Sequence, residues 1–483
     1  MPGLDDLLLR QFGPTRFLQS RDALLAWECD GFTVHRSRPR AVVLPESTEE
    51  VQIVVRQCFA NNVPFVPRGA GTCLSGGPTA GADALVIDLA RMRRVLRIEP
   101  DDQYAVVQPG VVNLDLTRHV HHRGLHYAPD PSSQMVCTIG GNLAENSGGP
   151  HCFKYGMTTD HVLGALVVLP DGELARLGDH AGVRAPHGLD LLGLFCGSEG
   201  TFGIATEITV RLCRDQAAIR TLLASFATMT AACRTVADIV GAGLVPAALE
   251  ILDQATIRAV EASVYRAGYP EDAAAVLLVE LDGPAEVLVE EAAEVRECFA
   301  RHGALRVEEA ADANERKRLW KGRKGAFGAM GRLNTDLYVL DGVVPRTRLE
   351  EALDGIAAIG RRHGVLLTNV FHAGDGNLHP NISFDGRDPV QTARATAAGR
   401  EILQLCVDLG GSISGEHGIG SEKLEHVPMM FGPDDLAVMD RVRRVWNPRD
   451  LCNPGKVLPQ RTSCAEAAKW PQIAARVLGE GDA

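Results

Sequence analysis

The sequence predicts an α+β protein built from two unlike parts, and three observations point there. From Arg38 to about Arg214, short β-rich runs alternate with helices and are punctuated by glycine. Beyond Arg214 the segments lengthen into strand–helix–strand–helix units, the pattern of an antiparallel sheet with helices on one face. An apolar fraction of 45% over 483 residues is enough for a sizeable core and more than one domain. The expected division is an N-terminal segment 1–37, a first domain 38–214, a second domain 215–445 and a turn-rich C-terminal segment 446–483.

The elements follow in chain order. Residues 40–45 read as a strand, and Ser47 with Glu50 fits a capping box. Val51, Val54, Val55 and Cys58 then form one apolar helical stripe. A second strand, 63–67, feeds the glycine-rich loop 68–77. Strands are expected at 84–89, 104–108, 164–169 and 204–212, with a helix at 113–122. In the second part, strands at 221–226, 276–281 and 305–308 alternate with helices at 229–240 and 284–300. The tail after Gln460 fits a docked helix or a frayed end equally well.

Charge and composition exclude several classes. A net charge of −12, with no basic run interleaved with aromatics, argues against nucleic acid as a partner. Asp5 and Asp6 stand where a signal peptide would carry Lys or Arg. No window approaches the ~18 apolar residues of a membrane helix, so the expected location is the cytoplasm. The 12 cysteines contain no C-x-x-C pair, which excludes the usual iron–sulfur and structural-zinc spacings and favours free thiols. Electron transfer through a cluster would therefore need another subunit.

Three loops carry ligand-binding chemistry. RGAGTCLSGG at 68–77 brings backbone N–H groups close to any pyrophosphate, with the Thr72 and Ser75 hydroxyls as added donors. Alone it reads equally well as a surface turn, and it is neither a Walker A loop nor a G-x-G-x-x-G turn. PDPSSQ at 129–134 leads into TIGGNLAENSGG at 138–149, and GSEGTFGI follows at 197–204. Three such loops of small residues in one domain call for one extended ligand.

As motifs, these loops resemble the FAD-binding domain of the vanillyl-alcohol-oxidase / p-cresol-methylhydroxylase (PCMH) superfamily. That resemblance implies two subdomains with FAD extended between them. By the same resemblance Arg68, Gly69, Gly71, Thr72 and Ser75 would serve the pyrophosphate. Thr138, Gly141 and Asn142 would lie near the flavin, and Glu199 and Ile204 along another part of the cofactor. Asn453 and Lys456, in CNPGK, resemble the return of the C-terminal segment to the flavin domain. His119, His121, His122 and His151 lie in no recognisable attachment motif, so the expected FAD is non-covalent.

A second chemistry sits near the C-terminus. NVFHAGDGNLHP at 369–380 places His372 and His379 on either side of a Gly-Asp-Gly-Asn turn, and SISGEHGIG at 412–420 adds Glu416 and His417. Two imidazoles and a carboxylate suit a divalent ion with open positions, and a neutral His417 beside it could remove a proton. Asp375 and Asn377 read as turn-formers. On residue types alone, a metal site and ordinary turn histidines remain equal readings.

These motifs resemble the FAD-linked oxidase C-terminal domain of 2-hydroxy-acid dehydrogenases. The group includes D-lactate and D-2-hydroxyglutarate dehydrogenases and the D subunits of glycolate dehydrogenases (glycolate oxidases). The resemblance implies that His372, His379 and Glu416 bind a divalent metal, zinc or manganese, and that His417 is the base. It also implies that Arg323, in LWKGRKGAF at 319–327, binds the substrate carboxylate, while Lys321 and Lys324 read as solvated charges. Phe327, Tyr338 and Val339 stand where relatives that act on diacids place polar or basic groups, which favours a small monoacid. WKGRKGAF and LDGVVP are most similar to the glycolate-oxidising D subunits. The implied activity is oxidation of glycolate to glyoxylate, with D-lactate or D-2-hydroxyglutarate as alternative substrates. Implied partners are iron–sulfur and second flavin-type subunits, which could hold the protein at the inner face of a membrane. A rival of another class is a non-catalytic flavin-binding subunit of a dehydrogenase complex.

Overall fold

The computed structural model describes residues 3–184 and 188–459. The tail beyond Gln460 lies outside the described residues.

The N-terminal half contains two larger sheets and a two-stranded ribbon, Leu125–His126 with Cys213–Arg214. In the first, Ala41–Val43 and Phe65–Arg68 both run parallel to Leu85–Asp88, and Phe17–Leu18 adds an antiparallel edge. These strands are covered on both faces, which is why they read as apolar runs rather than alternations. Helix Thr48–Asn61 buries Val51, Val54, Val55 and Cys58 against them. Only half of the capping box forms. The Ser47 hydroxyl accepts from Glu50 N at 3.3 Å, but the Glu50 carboxylate turns to Glu46 N and Arg16. The second sheet is antiparallel, in the order Val95–Glu99, Tyr104–Val107, Ile204–Arg211, Val162–Val168, Leu174–Gly178.

Residues near both ends of the described chain pack onto this half. Leu4, Leu8 and Phe12 of helix Leu4–Phe12 join the first core. Residues 451–453 pair with Phe65, through Phe65 N to Leu451 O and Asn453 N to Phe65 O, each 2.8 Å.

The remaining sheet is antiparallel. Its order is Arg306–Glu309, Ala218–Phe226, Ala275–Gly283, Ala248–Asp253, Leu366–His372, Asn377–Leu378, Gly342–Val343, and Pro380–Phe384 links Leu366–His372 to Asp336–Val339. Period-2 alternation sends Leu277, Val279 and Leu281 to one face and Val276 and Leu278 to the other. The first face carries the four long helices, Met229–Gly241, Ala285–Arg301, Leu349–His363 and Pro389–Asp408. The opposite face is covered as well, by the shorter Gln254–Glu261, Ala313–Lys324 and Ala326–Met330. Strands Ala248–Asp253, Leu366–His372 and Pro380–Phe384 went unmarked in the sequence pattern, and they bring the second chemistry onto the sheet. The described cysteines are all free thiols. Among the described residues no helix is long and apolar enough to cross a membrane.

Candidate active site

A cavity of about 560 Å³ opens where the two halves meet. Its flavin-side wall is largely main chain. Gly69 packs so closely that a Cβ there would lie 2.6 Å from Thr138 Oγ1. Thr138 in turn accepts from Gly141 N at 3.3 Å and caps helix Ile139–Glu145. Gly71 has φ +69°, a conformation suited to glycine.

Arg68, Gly69, Gly71, Thr72, Thr138, Gly141, Asn142, Glu199, Ile204 and Asn453 all line the cavity. Ser75 does not: it is fully buried, and its hydroxyl donates to the His417 carbonyl at 3.0 Å. Arg68 lines the wall, yet its guanidinium donates to the Cys29 carbonyl at 2.8 Å and ties down the N-terminal segment. The Glu199 carboxylate accepts from Ile419 and Gly420 N–H groups, both at 2.7 Å, and so clasps a loop of the other half. Lys456 lies outside the lining, bonded to the Thr79 carbonyl at 2.7 Å.

Beyond His417 Nδ1 on the facing wall, four buried polar atoms of lining residues have no protein partner: Asn142 Nδ2, Ser198 Oγ, Glu145 Oε2 and Asn453 Oδ1. Each unpaired group costs about 1–3 kcal/mol. Their gathering on a glycine-built cradle fits FAD, an extended ligand rich in nitrogen and oxygen. His119, His121 and His122 are exposed and outside the cavity, and His151 is engaged between Asp130 and Glu280.

The opposite wall is a charge cluster. His372 ends a strand, and a turn through Gly376 (φ +79°) leads into Asn377–Leu378 and His379. The two histidines thus stand on a sheet hairpin, a firmer mount than the loops the sequence suggested. Val343 pairs with Ser412, which draws loop 412–420 alongside. His372 Nε2 and His379 Nε2 lie 3.3 and 3.1 Å from the same oxygen, Glu416 Oε1. Their rings are nearly perpendicular, with centroids 5.1 Å apart.

The other ring nitrogens are already used. His372 Nδ1 lies 2.7 Å from Glu250 Oε1, and His379 Nδ1 lies 3.2 Å from the Leu340 carbonyl. Such partners fix Nδ1 as the protonated nitrogen and turn both Nε2 lone pairs toward Glu416. Two imidazole nitrogens and a carboxylate oxygen this close need positive charge between them, either a proton shared with Glu416 or a metal cation. This nitrogen and carboxylate donor set therefore fits a divalent ion of the zinc or manganese type.

A second grouping, Asp341 with His379 and His417, also brings ligand atoms together. Its carboxylate, however, already accepts from three backbone N–H groups and Lys423.

The electrostatics separate the roles. Burial pulls the His372 imidazole down, but the Glu250 and Glu416 carboxylates outweigh it and hold it well above its ordinary value. Burial raises the Glu416 carboxyl, and His372 and His379 more than reverse that, holding it well below the usual range. His417 goes the other way. Burial, only partly offset by Asp341, lowers it to about 4, so it is neutral near pH 7. It stacks on His379 at 5.0 Å, with Nε2 3.9 Å from Glu416 Oε1.

Arg323 departs from expectation. It reaches the cluster from behind, 1% exposed, and does not line the cavity. Its Nε donates to Glu250 Oε2, and its Nη2 is 3.5 Å from His372 Nδ1. The cause is Glu250: a fully buried carboxylate needs a cation, and Arg323 supplies it. Lys324, expected to be merely solvated, lines the cavity with its ammonium 5.3 Å from the Trp320 ring centre.

Sequence reasoning missed Glu250, Asp341 and Lys423, each fully buried. A lone charge inside the apolar runs ALEIL and LYVLDGVV was the available signal for the two acids.

The chain is similar to known proteins. Residues 215–457 match the family described as FAD linked oxidases, C-terminal domain, and residues 39–178 match the FAD binding domain. The chain is 45% identical over 461 residues to the glycolate oxidase subunit GlcD of Escherichia coli (strain K12), covering 95% of this chain and 92% of that one. It is 38% identical to the protein of the same name from Bacillus subtilis (strain 168), covering 93% and 95%. A D-lactate dehydrogenase of Anaerostipes hadrus is 31% identical, covering 93% and 96%. Among solved structures, p-cresol methylhydroxylase with substrate bound superposes with a TM-score of 0.81 at 18% identity, covering 95% and 97%, a likeness of fold. With relatives this similar over nearly its whole length, the chain belongs to the FAD-linked oxidases and is a flavin-dependent oxidoreductase.

Proposed function

We propose that the protein oxidises a small 2-hydroxy acid, glycolate foremost, to the corresponding 2-oxo acid. In this reading residues 38–214 and the returning segment from 446 hold FAD non-covalently, and residues 215–445 close over it. The observation that carries the reading is the convergence of His372, His379 and Glu416 on one point of the cavity whose other wall is the glycine cradle. When bound, FAD would supply a hydride acceptor for the α carbon, and a divalent ion would supply the charge that acidifies the substrate hydroxyl.

The chain's own groups do the rest. His372, His379 and Glu416 hold the ion. His417, neutral because burial lowers it to about 4, takes the hydroxyl proton at Nε2, the nitrogen facing the ligand set. Lys324 adds positive charge at the cavity wall and draws in the substrate carboxylate, while Arg323, paired with Glu250, supports His372 from behind. Phe327, Leu337 and Val339 give the same wall an apolar surface that suits a short acid better than a diacid.

Both GlcD relatives carry the name of a subunit, which supports an assembly. Partners bearing iron–sulfur and flavin groups would take the electrons onward and could hold this chain at the cytoplasmic face of a membrane. The D-lactate dehydrogenase relative favours D-lactate as the second candidate. Steady-state turnover of purified, FAD-loaded protein with glycolate, D-lactate and D-2-hydroxyglutarate tests the reading. The expected order puts glycolate first, and a clear preference for the diacid would refute it.

A further inference from the structure

We propose that Asp341 and Lys423 form a buried positioning pair that locks the two ligand-bearing segments into one metal-binding geometry. The proposal rests on the metal reading given above. Both residues have no exposed surface, and Lys423 Nζ lies 3.2 Å from Asp341 Oδ2.

The Asp341 carboxylate accepts from three consecutive backbone N–H groups: Gly415 at 2.9 Å, Glu416 at 3.1 Å and His417 at 2.9 Å. It also accepts from the Ser414 hydroxyl at 2.7 Å. Successive N–H groups converging on one anion form a nest, and here the anion is built into the chain. Lys423 holds the outgoing side of the same turn by donating to the Gly418 carbonyl at 3.1 Å. The turn carrying Glu416 and His417 is thus gripped at both ends.

The same carboxylate reaches the other segment. Asn377 Nδ2, in the hairpin between the two histidines, donates to Asp341 Oδ1 at 2.8 Å. His379 Nδ1 lies 3.9 Å from that oxygen. One side chain therefore ties the His372–His379 hairpin to the Glu416–His417 turn. The two segments also meet at Gly415, where a Cβ would lie 2.0 Å from Asn377 Nδ2. With its oxygens committed to these donors, Asp341 acts through the ligands and touches neither ion nor substrate.

The test uses full-length, FAD-loaded protein as wild type, Asp341→Asn, Gly415→Ala and the double variant Asp341→Asn/Lys423→Met. The double variant removes the pair together, although the buried Glu199 and Glu422 also lose the nearby Lys423 cation; Gly415→Ala disturbs the junction without touching a charge. Zinc and manganese, each alone, are measured by equilibrium dialysis beside flavin absorbance, Tm and turnover. Outer partners of metal ligands typically contribute about 10–100-fold in affinity. All three variants are expected to bind ion weaker by that order and to lose kcat with it, while FAD content is retained. Wild-type ion affinity in the double variant and in Gly415→Ala overturns the proposal. So does a loss of ion that only tracks loss of FAD or of folded protein. A wild-type protein that binds neither ion overturns the metal reading itself, an outcome distinct from these.

Discussion

Along 68–72 and 138–142 the cavity is met by main chain, with glycines such as Gly69 packed within contact of Thr138. Between 372 and 423 it is met by side chains, with His379, Glu416 and His417 at the wall and Glu250, Arg323, Asp341 and Lys423 buried behind them. The first wall recognises a large ligand by shape and by N–H groups, so it should fail when volume is added. The second works through charge held at fixed distances in a low-dielectric interior, so it should fail when a charge or a nitrogen is removed.

The largest expected effect belongs to the charged wall. His417→Ala should lower turnover by about 10²–10⁴-fold, the usual range for a positioned general base, while FAD content stays at the wild-type level. Loss of flavin in step with activity would erase the distinction between the walls. The reciprocal change is Gly69→Ala. Its Cβ would meet Thr138 Oγ1 at 2.6 Å, and overpacking of this kind costs about 1–3 kcal/mol. FAD binding measured by fluorescence should weaken by roughly 5–150-fold on that basis, with zinc binding unchanged.

His151 tests the seam between the halves. It bridges Asp130 on the flavin side and Glu280 on the other, at 2.8 and 3.2 Å. Burial pulls its imidazole down, and those two carboxylates more than reverse this, holding it at about 10 against an ordinary 6.5. A raised value means the stabilisation is complete below about 6.5 and is lost as pH rises toward about 10. His151→Gln should therefore lower the free energy of unfolding at pH 6 by about 1.5–3 kcal/mol, as for a charge-assisted bond, and much less at pH 10. An equal loss at both values would mean the charge is not the source. The smallest effect is expected for Thr138→Ala, which removes a helix cap and should cost about 1 kcal/mol in urea unfolding.

The same contrast explains what was legible in the sequence. The flavin wall could be read because glycine runs are local: a turn, a close approach and a cap lie within a few residues of one another. The cluster proposed to hold a metal was legible for the same reason, since His372 with His379 and Glu416 with His417 are short-range pairs. Their supports were not. Glu250 meets His372 through strand register across 122 residues, and Asp341 reaches the Glu416 turn across 75. Neither partner carries a local mark beyond a charge in an apolar run. Arg323 was placed at the cluster by its motif, but its commitment to Glu250 depended on a strand that the pattern had not revealed. Ser75 was assigned by loop composition, and its side chain was claimed by the His417 carbonyl of a segment more than three hundred residues away.

The central claim, that the two walls act together on one small acid, is tested most directly by anaerobic reduction of the bound flavin. Purified protein is mixed with glycolate before metal removal, after treatment with a chelator, and after zinc or manganese is restored. The account predicts loss of the visible flavin absorbance in the untreated protein, little or none after chelation with FAD still bound, and recovery when the ion returns. Full-rate bleaching by glycolate in protein shown to be metal-free would contradict it.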